Sequence, residues 1–162
     1  MKSFLTPSLL ILITAFSVNA QEVSQTLAPL LNSYYEIKNA LVQSDAATAS
    51  VKASEFNKTI NSVDTNKLTA NELTSFMSFQ EKLSLDAGNI AATTDLAKQR
   101  KYFAGFSLNF YTLAKALKLS DKPVYLQYCP MKNASWLSDN KVIQNPYYGS
   151  AMLTCGSDKE TF

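Results

Sequence analysis

The sequence predicts an all-α fold, an antiparallel four-helix bundle with an irregular C-terminal cap or a small β-hairpin. Two observations support this prediction. No proline and only two isolated glycines interrupt residues 30–122, whereas three prolines and two glycines crowd residues 123–156. Apolar residues in the first stretch recur at steps of three and four, which is the period of an amphipathic helix. Four such segments joined by short breaks favour an antiparallel bundle.

Residues 1–20 have the pattern of a cleavable signal peptide. Lys2 precedes an uncharged, mostly apolar run at residues 9–16, and the small residue Ala20 suits signal-peptidase cleavage before Gln21. The run is shorter than the about 20 apolar residues that span a bilayer. We therefore expect a periplasmic or secreted protein, with residues 21–162 as one helical-bundle domain and no membrane association after cleavage.

Four amphipathic segments follow in order. The third opens with a capping-box spacing, in which Thr69 and Glu72 would satisfy each other's backbone N–H groups. In the fourth, we expect Lys98, Arg100 and Lys101 to form a solvated helix face. The apolar positions of the four segments, which we expect to form the core, are Leu27, Leu30, Leu31, Tyr34, Leu41 and Val42; Ala49, Val51, Ala53, Phe56, Ile60 and Val63; Leu73, Phe76, Met77, Leu83, Ala87 and Ile90; and Leu96, Phe103, Phe106, Phe110, Leu113 and Leu117.

The composition excludes several classes of function. The chain has no histidine, which removes Ser-His-Asp and Cys-His catalysis, HExxH metalloproteases and His-ligated zinc or haem. A net charge of +2 over 162 residues gives no basic field for nucleic acid or an anionic membrane. Carboxylates are scattered along the helices and the glycines are isolated from one another, so no acid–base pair or phosphate loop is indicated. We do not expect an enzyme.

Residues 123–156 differ in composition from the helical part. They hold both cysteines, the one tryptophan and four of the eight tyrosines. Residues 124–128 suit a short strand, and residues 145–149 (Asn-Pro-Tyr-Tyr-Gly) suit a turn. Rare residue types outside regular helices are typical of a functional segment. Its aromatic residues are candidates either for an apolar shell around a site or for packing the tail onto the bundle. They are Tyr128, Trp136, Tyr147 and Tyr148.

Two short groups in this tail each combine a thiol with a thioether: Cys129 with Met131, and Met152 with Cys155. Closing the loop between the groups could bring four sulfur atoms to one point. Thiolate and thioether are soft donors, which favour Cu(I), and by the same logic Ag(I), over hard cations such as Mg²⁺. Zinc is served less well, because no imidazole is present to complete a tetrahedral set.

A structural disulfide between Cys129 and Cys155 is the alternative. It would close a loop of about 27 residues, worth about 3.5 kcal/mol by chain entropy. An oxidising compartment would favour it. The spacing leaves both states open, and the two could interconvert, with metal bound to the reduced form alone.

The tail carries a long signature: Cys129-Pro-Met131, then Trp136-Leu-Ser138, then Ile143-Gln-Asn-Pro-Tyr-Tyr-Gly149, then Met152-Leu-Thr-Cys-Gly156. On these residues the chain resembles an uncharacterised periplasmic family, domain of unknown function 3347. Members occur alone after a signal peptide, or appended to CusB-like adaptor subunits of copper and silver efflux systems. Weaker similarity at residues 86–90 and 99–103 extends the resemblance to residues 31–156.

The resemblance implies a helical domain connected with heavy-metal handling, with the four sulfur-bearing residues as ligands. Members often carry histidine at the positions of Asn89 and Tyr102, and they have a longer loop before Trp136. If the family site needs those imidazoles, this chain keeps the fold and has lost the metal.

We therefore expect an exported protein that binds or passes a soft metal ion, Cu(I) or Ag(I), in heavy-metal efflux or homeostasis. Its ligands would be Cys129, Met131, Met152 and Cys155, and an efflux adaptor is the expected partner. The rival is a non-metal interaction module, whose disulfide-stapled tail docks on a periplasmic partner.

Overall fold

The computed structural model describes residues 18–162, and four long helices make up most of them. They are α1 (Val18–Val42), α2 (Ala46–Asn61), α3 (Ala70–Ala91) and α4 (Leu96–Leu117). Each helix packs against the next one along the chain, and α1 also contacts α4. The prediction of four helices is thereby confirmed. The predicted signal peptide, residues 1–20, lies almost wholly outside the described residues. None of the described helices combines the length and apolar character that a membrane crossing requires.

Side-chain caps set where three of the helices begin. The Asp45 carboxylate accepts a hydrogen bond from the Thr48 N–H before α2, and Asp95 accepts from the first turn of α4. At α3 the predicted capping box is present. The Thr69 N–H donates to the Glu72 carboxylate at 2.8 Å, and the Glu72 N–H donates to the Thr69 hydroxyl at 3.5 Å. These bonds satisfy N–H groups that a helix start leaves without partners.

The core lies between the helices and is rich in aromatic rings. Phe103, Phe106 and Phe110 of α4 are fully buried, as their spacing predicts. Tyr34 of α1 stacks against all three, with its ring centroid 4.8 Å from that of Phe110. Stacked and edge-to-face aromatic pairs stabilise a core beyond the area they bury.

The tail forms a three-stranded antiparallel sheet, so the prediction of an irregular cap or hairpin needs correction. Its strands are β1 (Tyr125–Cys129), β2 (Ala134–Ser138) and β3 (Ser157–Thr161), in the order β2-β1-β3. The hairpin of β1 and β2 matches the expectation, but β3 begins beyond residue 156. The sequence of β3, Ser-Asp-Lys-Glu-Thr, lacks apolar alternation because this edge strand is mostly exposed. Pairing with β1, and not local propensity, makes it a strand.

A buried tyrosine connects the sheet to the bundle. The Tyr34 hydroxyl accepts a hydrogen bond from the Leu137 N–H of β2 at 2.9 Å. It shares a second hydrogen bond with the Ser107 hydroxyl of α4 at 2.6 Å. One side chain of α1 therefore contacts both α4 and β2. Burial raises the pKa of Tyr34 well above its usual value, because the phenolate would lose its hydration.

Replacing Thr69 by Ala should lower the free energy of unfolding by about 1 kcal/mol, because one orphan N–H at the start of α3 loses its cap. Denaturant unfolding measures the change. Thr74→Ala is the matched control, since among residues 18–162 the Thr74 hydroxyl bonds only to the Ala70 carbonyl one turn earlier in α3. Alanine is the better helix former there, so the control should be neutral or slightly stabilising. Equal losses in both variants would contradict the capping role.

Replacing Tyr34 by Phe should cost about 1–3 kcal/mol at neutral pH, because the buried Leu137 N–H loses its acceptor. Tyr102→Phe, on α4, is the control, since no hydrogen bond of its hydroxyl to a described residue is present.

The difference between wild type and Tyr34→Phe should narrow as pH rises. The unfolded chain loses the phenolic proton near pH ~10, while the folded protein retains it because the pKa of Tyr34 is raised. The stability that this group contributes is therefore complete below pH ~10 and declines above it. Urea unfolding midpoints test the trend. They should be measured at neutral pH and at about one pH unit above the tyrosine pKa of the unfolded chain. A difference that widens with pH would contradict it.

Candidate functional site

The structure brings the two cysteines together at one end of the sheet. Cys129 is the last residue of β1 and is buried, while Cys155 lies two residues before β3 and is partly exposed. In the antiparallel pairing, Tyr128 lies opposite Ser157, so the end of β1 meets the start of β3. The two Sγ atoms are 3.7 Å apart and are not bonded to each other. Residues 26 positions apart in the chain therefore form one thiol pair.

The separation of the sulfurs suits a shared ion as well as a thiol–thiol contact. Two sulfurs that each bind one ion at about 2.3 Å stand about 3.8 Å apart at the tetrahedral angle. A disulfide needs a separation of about 2.05 Å. The thiol pair would bind an ion with little movement, whereas a disulfide requires the sulfurs to approach each other further.

The surroundings of Cys155 favour its protonated thiol. Partial desolvation and the neighbouring Cys129 thiol raise the pKa of Cys155, and a hydrogen bond from the Met131 N–H opposes the rise. Two thiolates in contact would repel each other. A cation that displaces the thiol protons would remove this repulsion, so binding should release protons.

The two candidate methionines lie next to the thiol pair through their backbones. Met131 stands in the turn between β1 and β2, and its N–H contacts the Cys155 sulfur. The Met152 carbonyl accepts a hydrogen bond from the Cys155 N–H at 3.1 Å. Both side chains are open to solvent, with 66% of Met131 and 37% of Met152 exposed. The structure thus joins the thiols directly and leaves both thioethers at the surface beside them.

The tail aromatics divide into a buried pair and a more exposed pair. Trp136 and Tyr147 are buried and pack edge to face, with centroids 6.0 Å apart. Tyr147 also packs on Phe103 of α4, with centroids 5.8 Å apart. A Cβ atom added to Gly156 would lie 2.7 Å from the Trp136 ring, so the indole touches the chain beside Cys155. Packing of the tail, one of the two roles expected for these rings, is therefore present in Trp136 and Tyr147.

Asn145 links the predicted turn to the thiol pair. It is fully buried, and its side-chain amide donates to the Cys155 carbonyl at 2.7 Å. Its side-chain oxygen accepts from the Tyr147 N–H at 2.8 Å. Composition indicates a turn at residues 145–149 but not this bond, which fixes the backbone that carries the Cys155 thiol.

The comparisons identify the family of the helical part. The family described as "Protein of unknown function (DUF3347)" matches residues 30–122, more than half of the chain. The chain belongs to this family. No curated protein and no solved structure matches the chain. The DUF3347 match ends just before the sheet, so the thiol pair lies outside the matched residues. Among residues 18–162, no cluster of three or more Cys, Asp or Glu side chains forms a group that could hold a metal ion.

Arg100 joins the DUF3347 part to the tail, and the prediction of a solvated basic face is wrong for this residue. Its guanidinium donates to the Pro146 carbonyl at 2.9 Å, the Ser44 hydroxyl at 2.9 Å and the Leu41 carbonyl at 3.1 Å. Burial lowers the pKa of Arg100. Its neighbours Lys98 and Lys101 are exposed as expected. The helical spacing cannot distinguish these three residues, because the acceptors of Arg100 come from distant parts of the chain.

Gly149 lies close to the Arg100 guanidinium and to the end of α1. Its φ of +57° is in the left-handed region that favours glycine. A Cβ atom there would clash with the Ser44 hydroxyl, and it would lie 2.7 Å from the Arg100 guanidinium and 3.0 Å from the Val42 carbonyl. Close approach and backbone conformation therefore both require glycine at this position.

Replacing Gly149 by Ala should destabilise the DUF3347 protein by about 1–3 kcal/mol, because left-handed backbone strain and the steric clash add. Gly105→Ala in α4 is the matched control. An added Cβ there makes ordinary contact, 3.5 Å from the Asp86 carboxylate, so the control should stabilise by up to about 1 kcal/mol. Denaturant unfolding followed by Trp136 fluorescence reports both. Opposite signs are expected, and a loss of stability in both variants would contradict the prediction.

Proposed function

We propose that this protein is exported and binds a soft monovalent metal ion, Cu(I) or Ag(I), through Cys129 and Cys155, assisted by Met131 and Met152. The proposal rests on the 3.7 Å separation of the two thiols. Membership of DUF3347 adds no activity of its own.

The donor atoms near the pair favour a soft ion. Two thiols in contact and two adjacent thioethers are polarisable ligands, which select Cu(I) over hard cations. The chain offers no imidazole for a mixed zinc site. Cu(I) accepts low coordination numbers, so two or three of these four sulfurs would suffice. A thioether that joins the two thiols would keep the ion in the bent geometry that fits their 3.7 Å separation.

Rotation of their side chains would bring the methionine sulfurs towards the thiol pair. Both are anchored where the backbone contacts Cys155, and a methionine side chain has three rotatable bonds. Their present exposure gives a route for an ion that arrives from solvent or from a partner. An efflux adaptor is the partner we propose, with the exposed thioethers as the first ligands exchanged.

Burial on one side of the thiol pair would protect the bound ion. Cys129 is fully buried, and the buried rings of Trp136 and Tyr147 pack against each other in the same tail. An apolar surround excludes water and favours a neutral or weakly charged complex. Entry would occur from the side where Cys155 is exposed.

The same proximity supports a second candidate, a non-metal interaction module with a Cys129–Cys155 disulfide. The sulfurs need to approach by less than 2 Å to bond, and the bond would tie the tail on which β3 depends. Exposed Met131, Val142, Met152 and Leu153 would then form part of a docking surface.

The decisive experiment titrates Cu(I) into the reduced protein against a competing Cu(I) chelator. One ion should bind each chain, and Cys129→Ser with Cys155→Ser should abolish competition. Met131→Leu and Met152→Leu should each weaken the Cu(I) affinity about tenfold or more. Removal of a group that supports a metal site typically lowers metal affinity by this factor. Met77→Leu is the matched control. Met77 was expected in the core from its spacing, but it is 54% exposed on α3, away from the sheet. Full affinity in the double serine variant would refute the site.

The thiol state of the protein purified from cells distinguishes the two candidates. Intact-mass measurement without reductant should show free thiols or bound metal if the metal function holds. Quantitative loss of two hydrogens, together with no Cu(I) binding after reduction, would favour the interaction module.

A further inference from the structure

A second potential binding site lies at the end of the bundle where α4 stops. A cavity of about 380 Å³ opens there between α1, the end of α4 and the first residue before β1. This volume falls in the range of small-molecule sites, about 300–1,000 Å³. Its walls are mainly apolar, formed by Leu31, Ala114, Leu119, Val124 and Phe162.

The cavity is separate from the thiol pair. Val124 lines the cavity just before β1, and Cys129 ends that strand. Five residues of strand span about 16 Å. Occupation of the cavity is therefore independent of the proposed metal function, and it goes beyond that function.

The mouth of the cavity carries one ammonium group that no carboxylate of the described residues neutralises. Lys115 is paired with Glu160 at 2.5 Å, and Tyr111 also bonds to that carboxylate. The Ser120 hydroxyl donates to the Lys122 carbonyl and accepts from the Lys122 N–H. Lys118 is exposed, and it makes no ion pair with any residue in the described range 18–162.

The position of Lys118 is itself unusual. It follows the last residue of α4 with a φ of 50° and a ψ of 59°, the left-handed conformation in which glycine or asparagine is the common residue. The end of the helix requires only this backbone conformation and does not require a lysine side chain. A lysine at this position places a long cationic side chain at the rim of an apolar cavity.

We propose that this cavity binds a single-chain amphiphile with a carboxylate head, a medium-chain fatty acid. The alkyl chain would lie against Leu31, Ala114 and Phe162, and the carboxylate would pair with the Lys118 ammonium. Apolar walls, with one ammonium group at the mouth that pairs with no carboxylate of the described residues, are complementary to this class of ligand in size and charge.

Isothermal titration of decanoate into the purified protein, below the concentration at which decanoate forms micelles, tests the proposal. One molecule should bind each chain, and decanol, which has the same chain without the charge, should bind more weakly. Lys118→Asn removes the ammonium but keeps a residue that tolerates the left-handed conformation. It should weaken decanoate binding about three- to fivefold, as loss of an exposed ion pair would, and leave decanol binding unchanged.

Two further variants complete the test. Lys101→Asn is the charge-matched control, about 25 Å away along α4, and it should bind decanoate as the wild type does. Ala114→Phe fills the cavity and should abolish binding of both ligands, with circular dichroism showing that the protein stays folded. Lack of saturable decanoate binding, or unchanged decanoate affinity in Lys118→Asn, would overturn the proposal.

Discussion

The hydrogen bonds of the Tyr34 hydroxyl are the interaction on which the architecture depends. This one oxygen contacts Ser107 of α4 and the Leu137 N–H of β2, and it is fully buried. A buried N–H without an acceptor is costly, so the sheet has one favoured position on the bundle. Because β1 is paired with β2, that position also determines where Cys129 lies. A contact inside the helical core therefore positions a site at the surface.

A second set of polar contacts holds residues 145–155 of the tail in place. Arg100 bonds to the carbonyl of Pro146, and Asn145 bonds to the carbonyl of Cys155. The glycine at 149 lets the turn approach both the guanidinium and the end of α1. Arg100 lies within the residues that match DUF3347, while its partner in the turn lies beyond them. The helical part thus acts as the scaffold on which the thiol pair is assembled.

Local patterns predicted the helical elements well and the tail only in part. The four helices and the Thr69 cap follow from periodicity and from a spacing of three residues, which concern neighbours along the chain. The strand β3 escaped prediction because its side chains are polar and exposed, so only pairing with β1 makes it a strand. Arg100 was expected to be solvated from its helical spacing. That expectation was wrong because its hydrogen-bond acceptors come from α1 and from the turn, which are distant in the chain. The methionines were expected to converge with the thiols, but their side chains lie in solvent.

The sequence alone determined the helices, the Thr69–Glu72 cap and the presence of sulfur donors without imidazole. These properties depend on residue types and on spacings of a few residues. Only the tertiary structure decided that Cys129 and Cys155 meet, that β3 completes the sheet, and that Lys118 stands at the mouth of an apolar cavity. The physical reason is the same for all three. Each depends on packing or pairing between residues far apart in the chain, and no local pattern of polarity specifies which distant groups come into contact.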